Sequence, residues 1–377
     1  MTSPITPSIC FAASNSASGF CNYYDRLFTA THPDYLYIIK GGPGTGKSHF
    51  MKMVARHAGT LGYTVTEYLC SSDPHSLDGL LLTAQGKPSV GFLDGTAPHG
   101  RDPSLPGVRE EILDLGRFWR GGELRVRREE ITKLSEAKAA EYAAAYRYLS
   151  AAGEADGVLD ALLIPCVRRN ALDALAERIL RDQPDGEAHR AIPALRRAIS
   201  MKGSVTLTSF EEAAMASGGR LIIAEDHPTR GGSGIAAELT RRLLSISRKR
   251  GLFVYVSYDP LTPHKIDGLY YPHTGLCILS GCGHGNADGL SHPAEALEGL
   301  PIRHLHLRRY LDSERLRAVR PELRRAMSLR KSLLEAAEAR LSMAATHHFA
   351  LEELYASAMD FRAKEAFTET FCREVMG

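Results

Sequence analysis

The sequence predicts an α/β protein built from two tandem copies of one parallel-sheet core, each followed by a helical hairpin. Three observations predict it. A short apolar strand, Tyr35-Leu36-Tyr37-Ile38-Ile39, runs into a glycine-rich turn and then a helical stretch from His49 to Gly59, the strand–loop–helix unit of a parallel sheet. Strand and turn signals of the first half recur in order in the second. After each set of strands comes a long stretch rich in Ala, Glu, Lys and Arg with few helix breakers.

The turn reads Gly41-Gly42-Pro43-Gly44-Thr45-Gly46-Lys47-Ser48, a complete phosphate-binding loop. Glycines let the backbone wrap a polyphosphate with its N–H groups pointing inward, and the following helix N-terminus adds a favourable dipole. Lys47 is expected to reach the terminal phosphates, the Ser48 hydroxyl to ligate Mg²⁺, and His49 to border the site. A chance glycine-rich turn would lack the flanking strand and helix. A nucleoside triphosphate is therefore the expected ligand of residues 41–49, and the two cores are expected to be P-loop NTPase-like.

The repeat is ordered. Ser72-Asp73-Pro74 with Leu77-Asp78-Gly79-Leu80 returns as Tyr258-Asp259-Pro260 with Ile266-Asp267-Gly268-Leu269, and Ile38-Ile39 returns as Ile222-Ile223. Gly91-Phe92-Leu93-Asp94-Gly95 matches Cys277-Ile278-Leu279-Ser280-Gly281. Leu124-Arg125 pairs with Leu316-Arg317, and Leu159-Asp160-Ala161-Leu162 with Leu351-Glu352-Glu353-Leu354, both 192 residues on. The second loop, residues 224–234, keeps glycines but has no lysine before Ser/Thr, and Glu225 and Asp226 would repel phosphate. One live site and one pseudo-site are expected; Gly231 to Gly234, beside Arg230, could still cradle a smaller anion.

The join falls near Asp182-Gln183-Pro184-Asp185-Gly186. This gives a loop-bearing domain over 1–185, helical from about 108 to 181, and a degenerate copy over 186–377, helical from about 293. First-half strands are expected at 35–40, 62–70, 79–82 and 89–93. Residues 96–107, with three prolines and two glycines, must be loop at the carboxyl edge of the sheet, where open α/β folds place ligands. The helix over 125–148 is expected to pair with one over 158–181, and 313–345 with 349–375.

Asp94 ends an apolar strand beside the loop strand, the position of a metal-holding aspartate; the bland reading is an Asp-Gly turn. The catalytic glutamate that often follows is replaced by Gly95. Asp73 and Glu67 are candidates to position an attacking water. Asp73 is the better placed, yet Asp259 persists at the matching position without a lysine, which favours a turn role. Asp78 and Asp267 pose the same ambiguity. His99 could contact phosphate or base from its loop. Arg117, Arg120, Arg125, Arg127 and Arg128 form the densest basic cluster, either an arginine finger or a solvated helix face. His273, Cys277, Cys282 and His284 are zinc-ligand types whose spacing fits no CxxC module. Cys70 reads as a buried thiol.

The 377 residues suffice for two cores, and 46 basic against 44 acidic side chains leave a net charge of +2, so no global field argues for nucleic acid or membrane. There is no span-length apolar run and no signal-like N-terminus, and seven cysteines fit reduced thiols; a cytoplasmic protein is expected.

The chain resembles a family of bacterial, mainly Firmicutes-type, two-domain P-loop ATPase-like proteins. The resemblance rests on residues 41–48, on Cys70-Ser71-Ser72-Asp73-Pro74 with Leu77-Asp78-Gly79, on Asp94-Gly95-Thr96-Ala97-Pro98-His99, and on Ala358-Met359-Asp360-Phe361. It spans nearly the whole chain, and departs where family members can carry a second recognisable P-loop. It implies ATP binding, with hydrolysis and Mg²⁺ as cofactor. Lys47 and Asp73 are the catalytic candidates, and Ser48 and Asp94 the metal ligands. Partners would dock through the helical hairpins, as a second copy or another protein. A small-molecule kinase and a non-catalytic nucleotide sensor remain the alternatives.

Overall fold

In the computed structural model, which describes residues 4–98, 100–225, 234–280 and 298–375, the apolar runs become strands and the breaker-poor stretches helices. The chain order begins with β1 (Ile9–Phe11), β2 (Ala13–Ser16), β3 (Gly19–Asn22), α1 (Tyr24–Leu27), β4 (Tyr35–Lys40) and α2 (Lys47–Thr60). There follow β5 (Thr64–Leu69), β6 (Leu77–Ala84), β7 (Lys87–Asp94), β8 (Glu110–Asp114), α3 (Gly121–Val126), α4 (Arg128–Leu163) and α5 (Arg169–Leu180). The second half gives β9 (Arg190–Pro193), β10 (Arg197–Ser200), β11 (Gly203–Thr206), α6 (Ser209–Ala216), β12 (Arg220–Glu225) and α7 (Ile235–Lys249). It ends with β13 (Phe253–Tyr258), β14 (Ile266–Tyr271), β15 (Leu276–Ser280), β16 (Ile302–His306), α8 (Ser313–Ser357) and α9 (Phe361–Val375).

Two compact units form. The loop-bearing unit takes Asn22–Ala145, Ser200–Gly203 and Glu338–Gly377; the other takes Met1–Cys21, Tyr146–Ile199 and Ser204–Ala337. Each unit thus draws its main sheet from one half of the sequence and its closing helix from the other.

Within the loop-bearing unit strands lie in the order β5-β6-β7-β4-β8, and in the other the order β13-β14-β15-β12-β16 repeats it, with β9 beside β13. The duplication read from the repeats is plausible at this level. The sheets differ from the expected all-parallel form. β4 pairs in parallel with β7 and β8, but β6 runs antiparallel between β5 and β7. β14 does the same between β13 and β15. The reason is connection length: two residues, Gln85 and Gly86, join β6 to β7, which suits a hairpin and not a crossover.

A second correction concerns the helical segments, which begin later than 108 and 293. Glu110–Asp114 and Ile302–His306 are strands, each parallel to a loop strand. β8 looks unlike a buried strand because it opens on Glu110. That carboxylate is fully buried yet satisfied by Ser104 Oγ at 2.8 Å, the Ser104 and Leu105 N–H groups and Arg101 at 3.2 Å. Burial opposes its ionisation, but these donors outweigh it and bring its pKa down to about 2.

The expected hairpins are also replaced. α4 runs unbroken through residues 149–157, and α5 turns away to pack on α7 through Leu172, Leu175, Ala176 and Ile179. Its counterpart α9 lies on α2, where Phe371 meets Phe50 at 5.3 Å, Tyr37 at 5.1 Å and Phe92 at 6.0 Å between ring centroids. Amphipathic helices go where their apolar stripe finds an uncovered sheet face, and periodicity alone does not name that face. Among the described residues no helix is long and apolar enough to cross a membrane.

Candidate functional site

The loop 41–48 leaves the carboxyl end of β4 and enters α2 with Gly46 at φ +77°, a left-handed turn that a side chain would strain. Gly44 has φ +68°, and a Cβ there would lie 2.4 Å from the Glu352 carbonyl of α8, so only glycine fits beneath that helix. Thr45 Oγ1 donates to the Gly42 carbonyl at 3.0 Å, holding the loop as a tight arch.

Lys47 Nζ is folded back over this arch. It donates to the Gly41 carbonyl at 2.7 Å and to that of Gly42 at 2.9 Å, and lies 3.5 Å from Asp94 Oδ2. Asp94 is brought there by sheet register, which sets it opposite Ile39 at the end of β4. Its Oδ1 accepts from Thr96 N–H at 2.9 Å and Thr96 Oγ1 at 2.5 Å. Burial pushes the Asp94 pKa up; Lys47 opposes this and nearby Asp78 adds to it. Ser48 Oγ, at the second residue of α2, accepts the Leu77 N–H at 3.0 Å. His49 is exposed, its pKa lowered by partial burial and by Lys364. Pro43 stands between the two glycines of the arch.

Asp73 sits at the turn after β5. Its Oδ2 accepts from Ser76 Oγ at 3.0 Å and its Oδ1 lies 3.4 Å from Lys202 Nζ. Asp259, its counterpart, caps its own turn by accepting from Leu261 and Thr262 N–H at 3.0 and 2.8 Å. Gly95 follows Asp94 for a packing reason: a Cβ there would fall 2.3 Å from Ile38 Cγ2, so no glutamate fits without displacing the strand. The loop over 96–107 is anchored by Lys40, which donates to the Gly95 and Arg101 carbonyls at 2.9 and 2.7 Å. His99 lies outside the described residues.

The basic cluster does structural work. Arg120 donates to the Ser357 and Met359 carbonyls at 2.6 and 3.2 Å and pairs with Glu123; Arg127 donates to Ser357 Oγ at 3.2 Å. Both tie the start of α3 and α4 to the end of α8. Arg117 stacks over Phe367 and Phe118. Of the zinc-type residues, Cys277 is buried within β15 with its thiol pKa pushed well up by burial, and Cys282 and His284 lie outside the described residues. Cys70 is likewise held protonated, chiefly by burial.

Several site residues come from 300 positions away and carry no local signal. The Glu352 carboxylate has its pKa raised by burial and by Asp73, with Lys47 and the Gly44 backbone amide opposing. His348 Nε2 lies 3.7 Å from Glu352, and burial with neighbouring Lys138 brings its imidazole pKa down to about 4. Trp119 packs against Gly42 and Tyr355, and Lys364 approaches Gly46. The ordered repeat at 351–354 was the one sequence trace of Glu352.

In the other unit, residues 226–233 of the loop lie outside the described residues, and so does all but the end of the Gly231 to Gly234 cradle. Gly234 N–H donates to Asp160 at 3.2 Å, and Asp160 lies 2.6 Å from Lys265. Asp160 and Glu352 are 192 residues apart, and the sequence repeat pairs them. Ser280, in place of Asp94, donates to the Asp267 carbonyl at 3.1 Å. The cleft beside β12 and β16, about 550 Å³, is lined by Glu225, His306, Arg308, Arg317 and Arg320; Glu225 is paired with His304 and His306.

Comparison of the chain with protein-family models, curated proteins and solved structures returned no match.

Proposed function

We propose that the chain binds a Mg²⁺–nucleoside triphosphate at residues 41–49 and hydrolyses it, ATP being the nucleotide implied by the sequence resemblance. The observation that carries this is the convergence of Lys47, Ser48 and Asp94 on one glycine arch at a helix N-terminus. The matching positions of the other half have no lysine and a serine for Asp94. Lys47 would exchange the loop carbonyls for phosphate oxygens. Ser48 and Asp94 suit Mg²⁺, a hard cation that takes oxygen donors and is usually held by one or two carboxylates plus substrate phosphates. When bound, the ion would neutralise charge on the phosphate oxygens.

In hydrolysis the water oxygen bonds to the γ-phosphorus as the bond to the β–γ bridging oxygen breaks; ADP and phosphate leave with release of a proton. Lys47 and the loop N–H groups would stabilise the charge that gathers there. Asp73 is the acidic candidate to orient the water, and neutral His348 lies in the same neighbourhood.

A second reading is nucleotide sensing without turnover, favoured by the packing that excludes a side chain at Gly95. The purified protein with MgATP, and Lys47→Ala as control, decides between them. ADP formation lost in the mutant supports hydrolysis. Bound ATP with turnover below about one per hour, slower than an unstimulated Ras-type GTPase, supports sensing. Unchanged ATP affinity in a folded Lys47→Ala protein overturns the site.

A further inference from the structure

Lys364, in the first turn of α9, is the least explained charge in the loop-bearing unit. Its side chain is only 1% exposed, and among the described residues its ammonium has no carboxylate within ion-pair distance and no hydrogen-bond acceptor. The Nζ lies 3.4 Å from where a Cβ on Gly46, the residue before Lys47, would stand. Phe361 also approaches Gly46, and further along the same helix Phe367 stacks on Phe50 and Phe371 tilts against it. Burying an ammonium among such neighbours is costly unless an anion meets it. Burial lowers its pKa, and Glu365 on the same helix opposes this only in part.

The other unit shows what stands at this position where the loop has no lysine. α9 and α5 begin 192 residues apart, at Phe361 and Arg169, and the same spacing relates two isolated bridges, Trp119 with Met359 and Leu311 with Val167. In that register Lys364 corresponds to Leu172, which is fully buried in an apolar core. Trp119 corresponds to Leu311 in the same core. Trp119 Nε1 is itself buried without a hydrogen-bond partner, and its ring lies about 3.1 Å from a Cβ built on Gly42. Two donors face the loop that has a lysine; at the corresponding positions of the other unit two leucines sit in the apolar core.

We propose that Lys364 is a second phosphate-binding cation of the loop site, contacting the polyphosphate of the bound nucleotide alongside Lys47. This rests on the triphosphate reading of the loop. The cation arrives from the C-terminal helix, so a bound polyphosphate would tie α9 to α2.

Trp119 is the only tryptophan in the chain, so its fluorescence reports on the loop directly. The full-length protein is titrated with MgATP and with inorganic tripolyphosphate. The variants are Lys364→Leu, which copies Leu172, Lys364→Met and Lys364→Arg. The expected result is saturable binding of both ligands to the native protein, weakened about tenfold or more in the Leu and Met variants, as for loss of a charge-assisted contact. Lys364→Arg should fall between. Thermal melting without ligand should show Lys364→Leu at least as stable as the native protein, which a lysine with only a structural role would not. Affinity within about twofold of native in both the Leu and Met variants overturns this proposal and leaves the loop site standing. Absence of any binding to the native protein overturns both.

Discussion

Glu352 is where a single side chain decides most. Its carboxylate lies close enough to the loop to feel Lys47 and the Gly44 amide, and burial and Asp73 already raise its pKa. Around it stand Lys47, Lys138, His348 and the Gly44 N–H, so removing its charge does not leave an unpaired cation against a wholly apolar wall. Asp160 holds the equivalent place more firmly, through Lys265 at 2.6 Å. Glu352→Gln should therefore tighten tripolyphosphate binding by roughly three- to tenfold, the scale of one like-charge contact at a partly buried site. The effect has a pH signature. A raised pKa means the native carboxylate takes up a proton at higher pH than a free one, so the gain from Gln should shrink as pH falls. Titrations at pH 8 and pH 5 measure it; an equal or weaker affinity in Glu352→Gln at pH 8 would show that the carboxylate does not compete with the ligand.

At the scale of elements, β8 is held in the sheet by Glu110, and that bond has a pH dependence. The folded pKa is depressed to about 2 from a reference of 4.5, so its stabilisation is complete above the reference value and is lost as pH falls towards 2. Glu110→Gln should lower unfolding free energy at pH 7 by on the order of 2 kcal/mol and flatten the fall of stability below pH 4.5. Urea denaturation at pH 7, 4 and 3 tests this, and an unchanged slope with pH would remove Glu110 from the account. The same strand marks where sequence reading ends. β4, α2 and β7 were legible because an apolar run, a glycine motif and a terminal aspartate each speak for themselves within a few residues. β8 was not, since Glu110 reads as solvent-facing until Arg101 and the loop amides are brought to it. α9 was legible as a helix, but nothing local says that its phenylalanines cover α2. Lys47, Ser48 and Asp94 could be placed beforehand; Glu352, His348 and Lys364 could not, because only the exchange of helices carries them to the loop, and Trp119 reaches it through a turn with no signal of its own.

For the whole molecule, that exchange makes a prediction about where the chain can be cut. The join near residue 185 reads as a domain boundary, and a fragment ending there would contain the complete loop 41–48 and every strand from β4 to β8. It would lack Glu338–Gly377, which completes the loop-bearing unit. Tyr37, Phe50 and Phe92 would lose Phe371, and α2 would present its apolar side to water. Each large aromatic left uncovered costs about 2–3 kcal/mol, against a total stability of about 5–15 kcal/mol for a domain, so three or four consume most of it. Residues 186–377 alone would lose α5 from the core built on α7, including Leu172, Leu175 and Ile179. Neither half should therefore show a cooperative thermal transition by itself. Produced together, they should yield a soluble one-to-one complex with a single transition near that of the intact chain, and only the complex should bind tripolyphosphate. Residues 1–185 melting cooperatively and alone at the temperature of the full protein would show that the helices are exchanged without need. The dependence bears on chemistry as well as folding: with Lys364 and Glu352 both supplied by the last forty residues, the first half carries the loop, and the end of the chain completes the surroundings in which it would meet a phosphate.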